Sequence, residues 1–380
     1  SEMGIRDRYS VIPHNFAFIE TSDFVNFKNL GRFNEGVMKT TNFTAPKHGA
    51  VIHLTMEEAE RLESYWQKNK RKYVSTASIR KNPVLPGFYA DPEVMYSEKT
   101  GRYYIYPTTD GILNWGSTAF KAFSSDDLVN WKEEGVILDL KDVSWAKKNA
   151  WAPCIIEKKQ ADGNYKYYYY YTAEQQIGVA VADSPTGPFI DSGTPLIDKV
   201  RPGGMSKGQN IDPDVFTDPV SGKTYLYWGN YYMAVCELNE DMVSIKPNTT
   251  KILIDNDAYY SEAAHVFYRN GYYYFTWSKN DTRSPEYQVR YVRAKSPVDP
   301  IDASKSEVIL CKKPEQGIFG TGHHSVLPLP GKDEWRIVYH RFKFPDAVTM
   351  GRNAGFHREV CIDKLEFDEN DSIIKIVPTL

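Results

Sequence analysis

The sequence is poor in cysteine and has no long apolar run. Its four cysteines, Cys154, Cys236, Cys311 and Cys361, are widely spaced and form no CxxC pair. Because zinc sites and redox motifs use closely spaced cysteines, both are disfavoured, and each cysteine is expected to be a small buried apolar residue. No apolar run approaches the roughly 18–20 residues that a helix needs to cross a bilayer. We therefore expect no membrane span.

The chain also lacks an excess of charge of either sign. It has 46 basic and 49 acidic residues, which give a formal net charge of -3. A near-neutral chain has no general electrostatic attraction to nucleic acid or to an anionic membrane. The composition therefore favours a neutral or small polar substrate and disfavours a nucleic-acid partner.

Aromatic residues, in contrast, are abundant. Phe, Trp and Tyr make up 14% of the chain, with 27 Tyr and 8 Trp. Tyr and Trp combine an apolar face with a hydrogen-bonding edge, which suits both strands and surfaces that bind sugars. Most of these residues are expected to be structural.

Five segments of the chain resemble one another. Each opens with polar or small residues, continues as an apolar strand, turns at Gly or Asp and returns as an aromatic strand, which is the pattern of a β-hairpin. The segments begin at Asp91, Ala152, Asp212, Glu262 and His323. In most units a second pair of strands follows. Four strands in units of roughly 50–60 residues predict an all-β fold, a five-bladed β-propeller.

The first 80 residues do not follow this repeat. Residues 55–74, TMEEAERLESYWQKNKRKYV, predict one helix, because a capping box is followed by an apolar stripe. Residues 16–31 resemble residues 123–135 and predict an outer pair of strands from a blade. We therefore expect an N-terminal extension, residues 1–80, packed on a propeller of residues 81–380.

The opening residues of the repeats are expected to meet. In a propeller the innermost strand of each blade lines the central channel and begins near one face. Asp91, Asp212 and Glu262 would then converge on one funnel together with His323. Asp-Pro is a common turn opener, so a single acid at such a place has a purely structural explanation. Three carboxylates in one channel repel each other and lose hydration, and such a cluster is typical of a functional site.

Three converging carboxyl groups suit the hydrolysis of glycosides. One carboxyl must stay protonated to donate to the leaving oxygen, while another must be ionised to activate water or attack carbon. A third can raise the pKa of the acid by repulsion and orient it. The pattern therefore indicates a sugar-cleaving site.

Six motifs, in order, resemble glycoside hydrolase family 43 across residues 81–380. They are NPVLPGFYADPEV, NAWAPCII, QNIDPDVF, SEAAHVFYRNGYYYF, GTGHHSV and REVCIDKLEF. The resemblance implies a five-bladed propeller and hydrolysis that inverts the anomeric carbon. It implies Asp91 as the general base, Asp212 as the aspartate that orients the acid and modulates its pKa, and Glu262 as the general acid. Asp214 is the alternative to Asp212.

The resemblance also implies contacts to substrate and metal. Trp151 is similar to an aromatic wall of the sugar subsite, with a core tryptophan as the alternative, and Phe88 is expected to line the same pocket. Arg358 is similar to an arginine that reaches substrate hydroxyls, with a plain salt bridge as the alternative. His323 is similar to a histidine that contacts a water-coordinated, structural calcium ion in the central channel, with His324 as the alternative. No cofactor is expected to be required for the chemistry.

The implied function is exo-acting hydrolysis that releases a terminal pentose or furanose, with α-L-arabinofuranose as the expected sugar. β-Xylosidase, β-D-galactofuranosidase and endo-arabinanase are alternatives within the family, and a non-catalytic sugar-binding propeller is the alternative outside it. The expected partner is an oligosaccharide or polysaccharide of plant type. No signal peptide is visible in the opening residues SEMGIRDR, but this substrate predicts a periplasmic or extracellular location.

Overall fold

The computed structural model describes residues 82–380 and five short pieces nearer the N-terminus. Those pieces are Glu2–Arg6, Ala17–Thr21, Lys28–Arg32, Ala50–Ile52 and Arg61. The chain divides into two compact units, Ser1–Ile79 and Arg80–Leu380. This division lies close to the predicted boundary, while the packing of the first unit on the second stays a prediction.

The N-terminal unit contains one antiparallel sheet. Its strands are β1 (Glu2–Arg6), β2 (Ala17–Thr21), β3 (Lys28–Arg32) and β4 (Ala50–Ile52), and their order is β3-β2-β1-β4. The segment predicted to be an outer pair of blade strands does form a pair, β2 with β3, but this pair belongs to the unit's own sheet. The predicted helix 55–74 lies outside the described residues, apart from Arg61.

The second unit is a five-bladed β-propeller, which confirms the predicted fold. Blades one to four each contain four antiparallel strands, and within the described residues blade five contains three. The first blade comprises β5 (Tyr89–Ser97), β6 (Arg102–Thr109), β7 (Ala119–Ser125) and β8 (Lys132–Asp139). The second comprises β9 (Trp151–Lys159), β10 (Tyr165–Ala173), β11 (Gln176–Ala182) and β12 (Ile190–Asp191). The third comprises β13 (Asp214–Thr217), β14 (Thr224–Trp228), β15 (Tyr232–Glu237) and β16 (Lys251–Asp255).

The last two blades complete the ring. The fourth comprises β17 (Glu262–Arg269), β18 (Tyr272–Lys279), β19 (Gln288–Ala294) and β20 (Glu307–Leu310). The fifth comprises β21 (Gly322–Pro328), β22 (Trp335–Phe342) and β23 (Arg358–Leu365). A short helix, α1 (Ala347–Met350), and a 3-10 helix at Gly351–Phe356 connect β22 to β23. No helix in the described part of the chain is long and apolar enough to cross a membrane.

The ring closes where the first described residues of the propeller meet its last strand. The backbone N–H of Val84 donates to the carbonyl of Val360 at 2.9 Å. The side chain of Asn82 accepts from the N–H of Ile362 at 2.8 Å and donates to the carbonyl of the same residue at 3.2 Å. Residues 82–84 therefore lie along the edge of β23, where the other blades have a fourth strand.

Aromatic side chains fill the contacts between blades. The buried apolar residues form a cluster between each pair of neighbouring blades, including the pair that closes the ring. On β10, Tyr167, Tyr169 and Tyr171 pack towards blade one, while Tyr168 and Tyr170 pack towards blade three. Since alternate residues of a strand point to opposite faces, a strand that is buried on both sides needs apolar residues at every position. This packing accounts for most of the tyrosines in the sequence.

The cysteines follow their predicted role with one exception. Cys154, Cys236 and Cys361 are buried, whereas Cys311 is half-buried, and none of the four forms a disulfide. Cys311 follows β20, the outermost strand of blade four, and therefore lies nearer to solvent than the other three.

Candidate active site

One backbone conformation recurs where the innermost strands of the five blades begin. Asp91, Ala152, Asp212, Ala263 and His323 have φ values of 47°, 40°, 58°, 59° and 40°. These residues occupy the start of each sequence repeat, with Ala263 directly after Glu262. A left-handed conformation at a residue other than glycine costs about 1–2 kcal/mol, so the surrounding structure must stabilise it at all five places.

Hydrogen bonds between neighbouring blades provide this stabilisation. The backbone N–H of the left-handed residue donates to a side chain on the second strand of the preceding blade. The four donor and acceptor pairs of this kind are Asp91 with His340 Nδ1 at 3.2 Å, Ala152 with Thr108 Oγ1 at 2.7 Å, Asp212 with Thr172 Oγ1 at 3.0 Å, and His323 with Ser278 Oγ at 2.8 Å. The N–H of Ala263 instead donates to the carboxylate of Asp212. At all five places the N–H of the left-handed residue therefore bonds to a side chain of the preceding blade.

A pocket of about 430 Å³ lies where these strands begin. The three predicted acids, Asp91, Asp212 and Glu262, all line it, together with His323 and Arg358. The other lining residues are Trp115, Trp151, Gln209, Ile211, Asn230, Tyr231, Ser261, Lys279, Asn280, Asp281, Thr282 and Arg283. A volume of this size suits a small-molecule site, and the polar lining suits a sugar.

Asp91 is held in its ionised form. Its Oδ1 lies 3.0 Å from Arg358 Nη1, 3.2 Å from His323 Nδ1 and 3.2 Å from His340 Nδ1. Burial opposes ionisation, but the charge of Arg358, with His323 and His340, outweighs it and holds the pKa of Asp91 well below its usual range. An ionised, buried carboxylate of this kind can accept a proton from a water molecule that binds beside it.

A second carboxylate fixes the arginine that holds Asp91. The Nε of Arg358 donates to Asp110 Oδ2 at 2.9 Å, and its backbone N–H donates to the same oxygen at 2.9 Å. Its Nη1 also donates to Thr282 Oγ1 at 3.2 Å. Arg358 is therefore a buried ion-pair residue, which was the alternative to a substrate contact, although it also lines the pocket. A contact between Arg358 and substrate hydroxyls stays a prediction.

The pKa of Glu262 is shifted in the opposite direction. Burial, with a contribution from the charge of Asp91, raises the pKa of Glu262 to about 7. Two donors limit this rise, because Tyr287 Oη lies 2.8 Å from Oε1 and Asn230 Nδ2 lies 2.8 Å from Oε2. These two contacts also fix the plane of the carboxyl group.

Asp212 belongs to the same group of interacting carboxyls. Burial and the charges of Glu262 and Asp91 raise the pKa of Asp212 well above its ordinary value, while the N–H of Ala263 opposes the shift. Because Asp212 and Glu262 repel each other when both are ionised, the pair retains a proton at neutral pH. A pocket with one ionised carboxylate and a proton-bearing pair has the groups for combined base and acid catalysis.

Asp214, the alternative to Asp212, has a structural role. Its Oδ1 lies 2.8 Å from His265 Nδ1, and its Oδ2 accepts from the N–H of Val266 at 2.9 Å. These bonds connect blade three to blade four. Asp214 does not line the pocket, whereas Asp212 does.

The two predicted aromatic contacts have different outcomes. Trp151 lines the pocket, and its Nε1 donates to the carbonyl of Trp115 at 2.6 Å. Phe88 is not among the pocket-lining residues, so the prediction that it lines the pocket was wrong. Its ring packs edge-on against His357 at 5.1 Å, with the ammonium of Lys343 5.7 Å from its centre. The residue lies three positions before Asp91, but these contacts direct its side chain elsewhere.

His323 lies in the pocket beside Asp91, whereas His324 is buried in the central channel. Thr276 Oγ1 donates to the carbonyl of His265 at 2.9 Å and therefore accepts from Nε2 of His324 at 2.7 Å. This leaves Nδ1 of His324 with a lone pair and no partner among the described residues. Burial holds the pKa of His324 well below its usual value, so the ring is neutral.

The histidines differ in their fit to a metal ion. The described residues hold no group of three or more His, Cys, Asp or Glu side chains that could ligate an ion directly. Nδ1 of His324, which has no partner among the described residues, could accept from a water molecule of a hydrated calcium ion, whereas Nδ1 of His323 lies 3.2 Å from the carboxylate of Asp91. The calcium contact predicted for His323 stays a prediction, and this geometry favours the alternative, His324.

A loop from blade four closes one side of the pocket. The guanidinium of Arg283 pairs with both oxygens of Asp281 and lies 5.3 Å from the centre of the Trp115 ring. Trp115 belongs to blade one, and the same loop bonds to Arg358 of blade five through Thr282. Residues 280–283 therefore span from the Glu262 side of the pocket to the Asp91 side.

Sequence reasoning missed four residues that hold the acids in place, namely Tyr287, Asn230, Asp110 and His340. His340 lies near the end of the second strand of blade five, and Asp110 directly follows the second strand of blade one, which is a signal that could have found them. Tyr287 and Asn230 lie in or beside loops that differ from blade to blade, so no repeat pattern marks them.

Comparison with known proteins gives a consistent result. Residues 80–373 match the family model described as Glycosyl hydrolases family 43. The chain is 33% identical over 328 residues to a β-D-galactofuranosidase, xynD, of Aspergillus niger, across 83% of this chain and 91% of that protein. It is 28% identical to a xylosidase/arabinosidase of Bacteroides ovatus, across 78% of this chain and 97% of that protein.

A solved structure extends the likeness to the fold. The structure of an α-L-arabinofuranosidase from Clostridium thermocellum superposes with a TM-score of 0.60 and 30% sequence identity. The match covers 76% of this chain and 94% of that one.

The hydrogen bond from Tyr287 to Glu262 can be tested by titration. Because this bond favours the carboxylate, Tyr287→Phe should raise the pKa of Glu262 further above about 7. The measurement is carbon NMR of protein with labelled glutamate side chains, with the Glu262 signal assigned by its loss in Glu262→Gln.

Tyr274→Phe is the matched control, since this tyrosine is also on blade four and its hydroxyl bonds to the carbonyl of Asp371, outside the pocket. It should leave the titration of Glu262 unchanged. An unchanged or lower pKa in Tyr287→Phe would contradict the assigned bond.

Proposed function

The chain belongs to family 43 of the glycosyl hydrolases, and from this membership we propose an inverting, exo-acting glycosidase that releases a terminal α-L-arabinofuranose residue. Membership makes the protein a glycosidase; the mechanism, the exo action and the sugar are our proposal. The observation that supports it best is the coexistence, in one pocket, of a carboxylate held ionised and a carboxyl whose pKa is raised to about 7.

In the proposed reaction Asp91 accepts a proton from a water molecule as that water attacks the anomeric carbon. Glu262 donates its proton to the glycosidic oxygen as the bond from that oxygen to the anomeric carbon breaks. Attack from the face opposite to the leaving group inverts the configuration, which requires the two carboxyls to be roughly 6.5–9.5 Å apart. Asp212 keeps the proton on the pair that it forms with Glu262 and orients the acid.

Exo action is supported by the closed side of the pocket. Residues 280–283 cross from blade four to Arg358 and Trp115, and we infer that this loop blocks a polysaccharide chain in that direction. A site that is closed beyond the bound sugar accepts chain ends, and an open groove would accept internal positions. This argument favours an exo-glycosidase over an endo-arabinanase.

The sugar is proposed from the relatives. The solved structure with 30% identity is an α-L-arabinofuranosidase, and the relative with 33% identity is a β-D-galactofuranosidase. Both names refer to five-membered sugar rings. Terminal α-L-arabinofuranose is therefore our first candidate and β-D-galactofuranose our second. A substrate of this class, part of a plant polysaccharide or oligosaccharide, also supports a periplasmic or extracellular location.

A structural calcium ion in the central channel is part of the proposal. Glu93, Asp214 and His265 lie near one another in the channel, and burial raises the pKa of Glu93 to about 8. A calcium ion held through water by His324 would supply positive charge beside these carboxyls. Its role would be structural, because the residues of the pocket carry out every chemical step of the proposed reaction.

The role of Glu262 predicts a dependence on the leaving group. Glu262→Gln should lower kcat by about a hundredfold or more on a glycoside with a poor leaving group, since general acid catalysis supplies about 10²–10⁴ in rate. A dinitrophenyl glycoside needs no protonation and should lose much less. Steady-state kinetics on both substrates checks this, and equal losses would exclude Glu262 as the acid.

A panel of aryl glycosides tests the sugar and the stereochemistry together. The α-L-arabinofuranoside should give the highest kcat/KM, ahead of the β-D-galactofuranoside and the β-D-xyloside. Proton NMR in the first minutes should show the product with inverted configuration. Retained configuration would rule out the water-activating role of Asp91, and a preference for another glycoside would replace the proposed sugar.

Calcium binding can be measured without activity. Calcium added to chelator-treated protein should raise its thermal unfolding temperature, because a ligand that binds only the folded state stabilises it. His324→Gln should abolish the increase, and His323→Gln should retain it. No increase in the wild type would remove calcium from the proposal, and loss in His323→Gln alone would return the contact to His323.

A further inference from the structure

One wall of the pocket consists of residues that surround Glu262. Asn230 bonds directly to its carboxyl, and the N–H of Tyr231 donates to the carbonyl of Ser261 at 2.8 Å. The N–H of Asn280 donates to Ser261 Oγ at 3.0 Å, and Lys279 lies between this residue and Ser278, the sheet partner of Glu262. We call Asn230, Tyr231, Ser261, Lys279 and Asn280 the acid-side wall.

The acid-side wall faces the leaving group. A general acid donates its proton to the glycosidic oxygen, so the part of the substrate that departs must lie beside Glu262. Tyr231 offers an aromatic surface there, since 52% of this residue is exposed although it lines the pocket. Aromatic faces that remain exposed in a sugar site are suited to stack against a sugar ring.

Lys279 is the unusual member of this wall. It is half-buried, its backbone pairs with Gln288 of β19, and its ammonium group has no hydrogen bond or ion pair with any residue that the structure describes. Burial lowers its pKa, and the nearby cation Arg290 lowers it further, while Asp257 acts in the opposite direction. The ammonium group is therefore poorly compensated in the free protein.

Other charges near the wall do not neutralise Lys279. Asp281 pairs with Arg283 through both oxygens, and Arg352 lies 3.6 Å from the same carboxylate. The three carboxyls of the pocket do not neutralise Lys279 either, because Asp91 pairs with Arg358 and the Asp212–Glu262 pair retains a proton. Excess positive charge therefore remains at the acid-side wall. The three carboxyls lie elsewhere in the pocket, and their remaining negative charge would repel an anion there.

We propose that the acid-side wall binds a carboxylate on the leaving-group part of the substrate, with Lys279 as its cationic partner. The enzyme would then favour acidic oligosaccharides, in which a uronic acid lies next to the sugar that is released, over neutral ones. This inference rests on the proposed function, because it assumes that Glu262 protonates the leaving oxygen.

Two nearly isosteric aryl glycosides of the released sugar test the proposal. One carries a 4-carboxyphenyl group and the other a 4-carbamoylphenyl group, so they differ mainly in charge. The carboxamide withdraws electrons more strongly than the carboxylate, which makes its phenolate the better leaving group. A faster reaction of the carboxylate substrate therefore cannot come from leaving-group ability. Wild-type kcat/KM should favour the carboxylate by at least about fivefold, which corresponds to about 1 kcal/mol.

Variants at Lys279 assign the preference. Lys279→Gln should reduce the ratio of the two kcat/KM values to about one, and Lys279→Arg should keep most of it. The ratio in the wild type should also fall as sodium chloride is added, since salt screens the interaction. Lys332→Gln, an exposed lysine between β21 and β22, is the matched control and should keep the wild-type ratio.

The outcomes separate this inference from the proposed function. Hydrolysis of both glycosides at similar rates would overturn the carboxylate site and leave the glycosidase intact, with Lys279 donating to neutral hydroxyls. A preference that persists in Lys279→Gln would also overturn it. Failure to hydrolyse any aryl arabinofuranoside or galactofuranoside would instead contradict the proposed sugar.

Discussion

A buried guanidinium determines the protonation pattern of the pocket. Arg358, fixed by Asp110, keeps Asp91 negative although that carboxylate is buried. Burial raises the pKa of Glu262 and of Asp212, and the retained charge of Asp91 adds to both shifts. One ion pair therefore separates an ionised carboxylate from a proton-bearing pair among three buried carboxyls, as the proposed base and acid require. Removing either partner of such a buried pair leaves an uncompensated charge, so the pattern depends on both.

The propeller places these groups by repeating one local arrangement. Each inner strand begins with a left-handed residue whose N–H is bound to the preceding blade, or in blade four to Asp212. The arrangement turns the opening side chains of different blades towards one pocket. Blade two has Ala152 at this place, so it contributes no charge. The fold is thus symmetric in its backbone, and the chemistry comes from which side chain each blade presents.

The sequence predicted those features that repeat. Five similar segments led to the propeller, and their opening residues led to Asp91, Asp212 and Glu262, because equivalent positions in a ring face one channel. Tyr287 and Asn230 could not be found in this way, since loops outside the repeat bring them to Glu262. The prediction for Phe88 failed because closeness in sequence to Asp91 does not fix the direction of a side chain, and the Phe88 ring packs against His357 instead.

The central claim is that Arg358 keeps Asp91 ionised while Glu262 and Asp212 together retain a proton. Neutron crystallography of deuterium-exchanged protein at a pD near 6 observes this directly. The account predicts no deuterium on the carboxylate of Asp91 and one deuterium on the Glu262–Asp212 pair. Deuterium on Asp91, with both carboxyls of the pair bare, would contradict it.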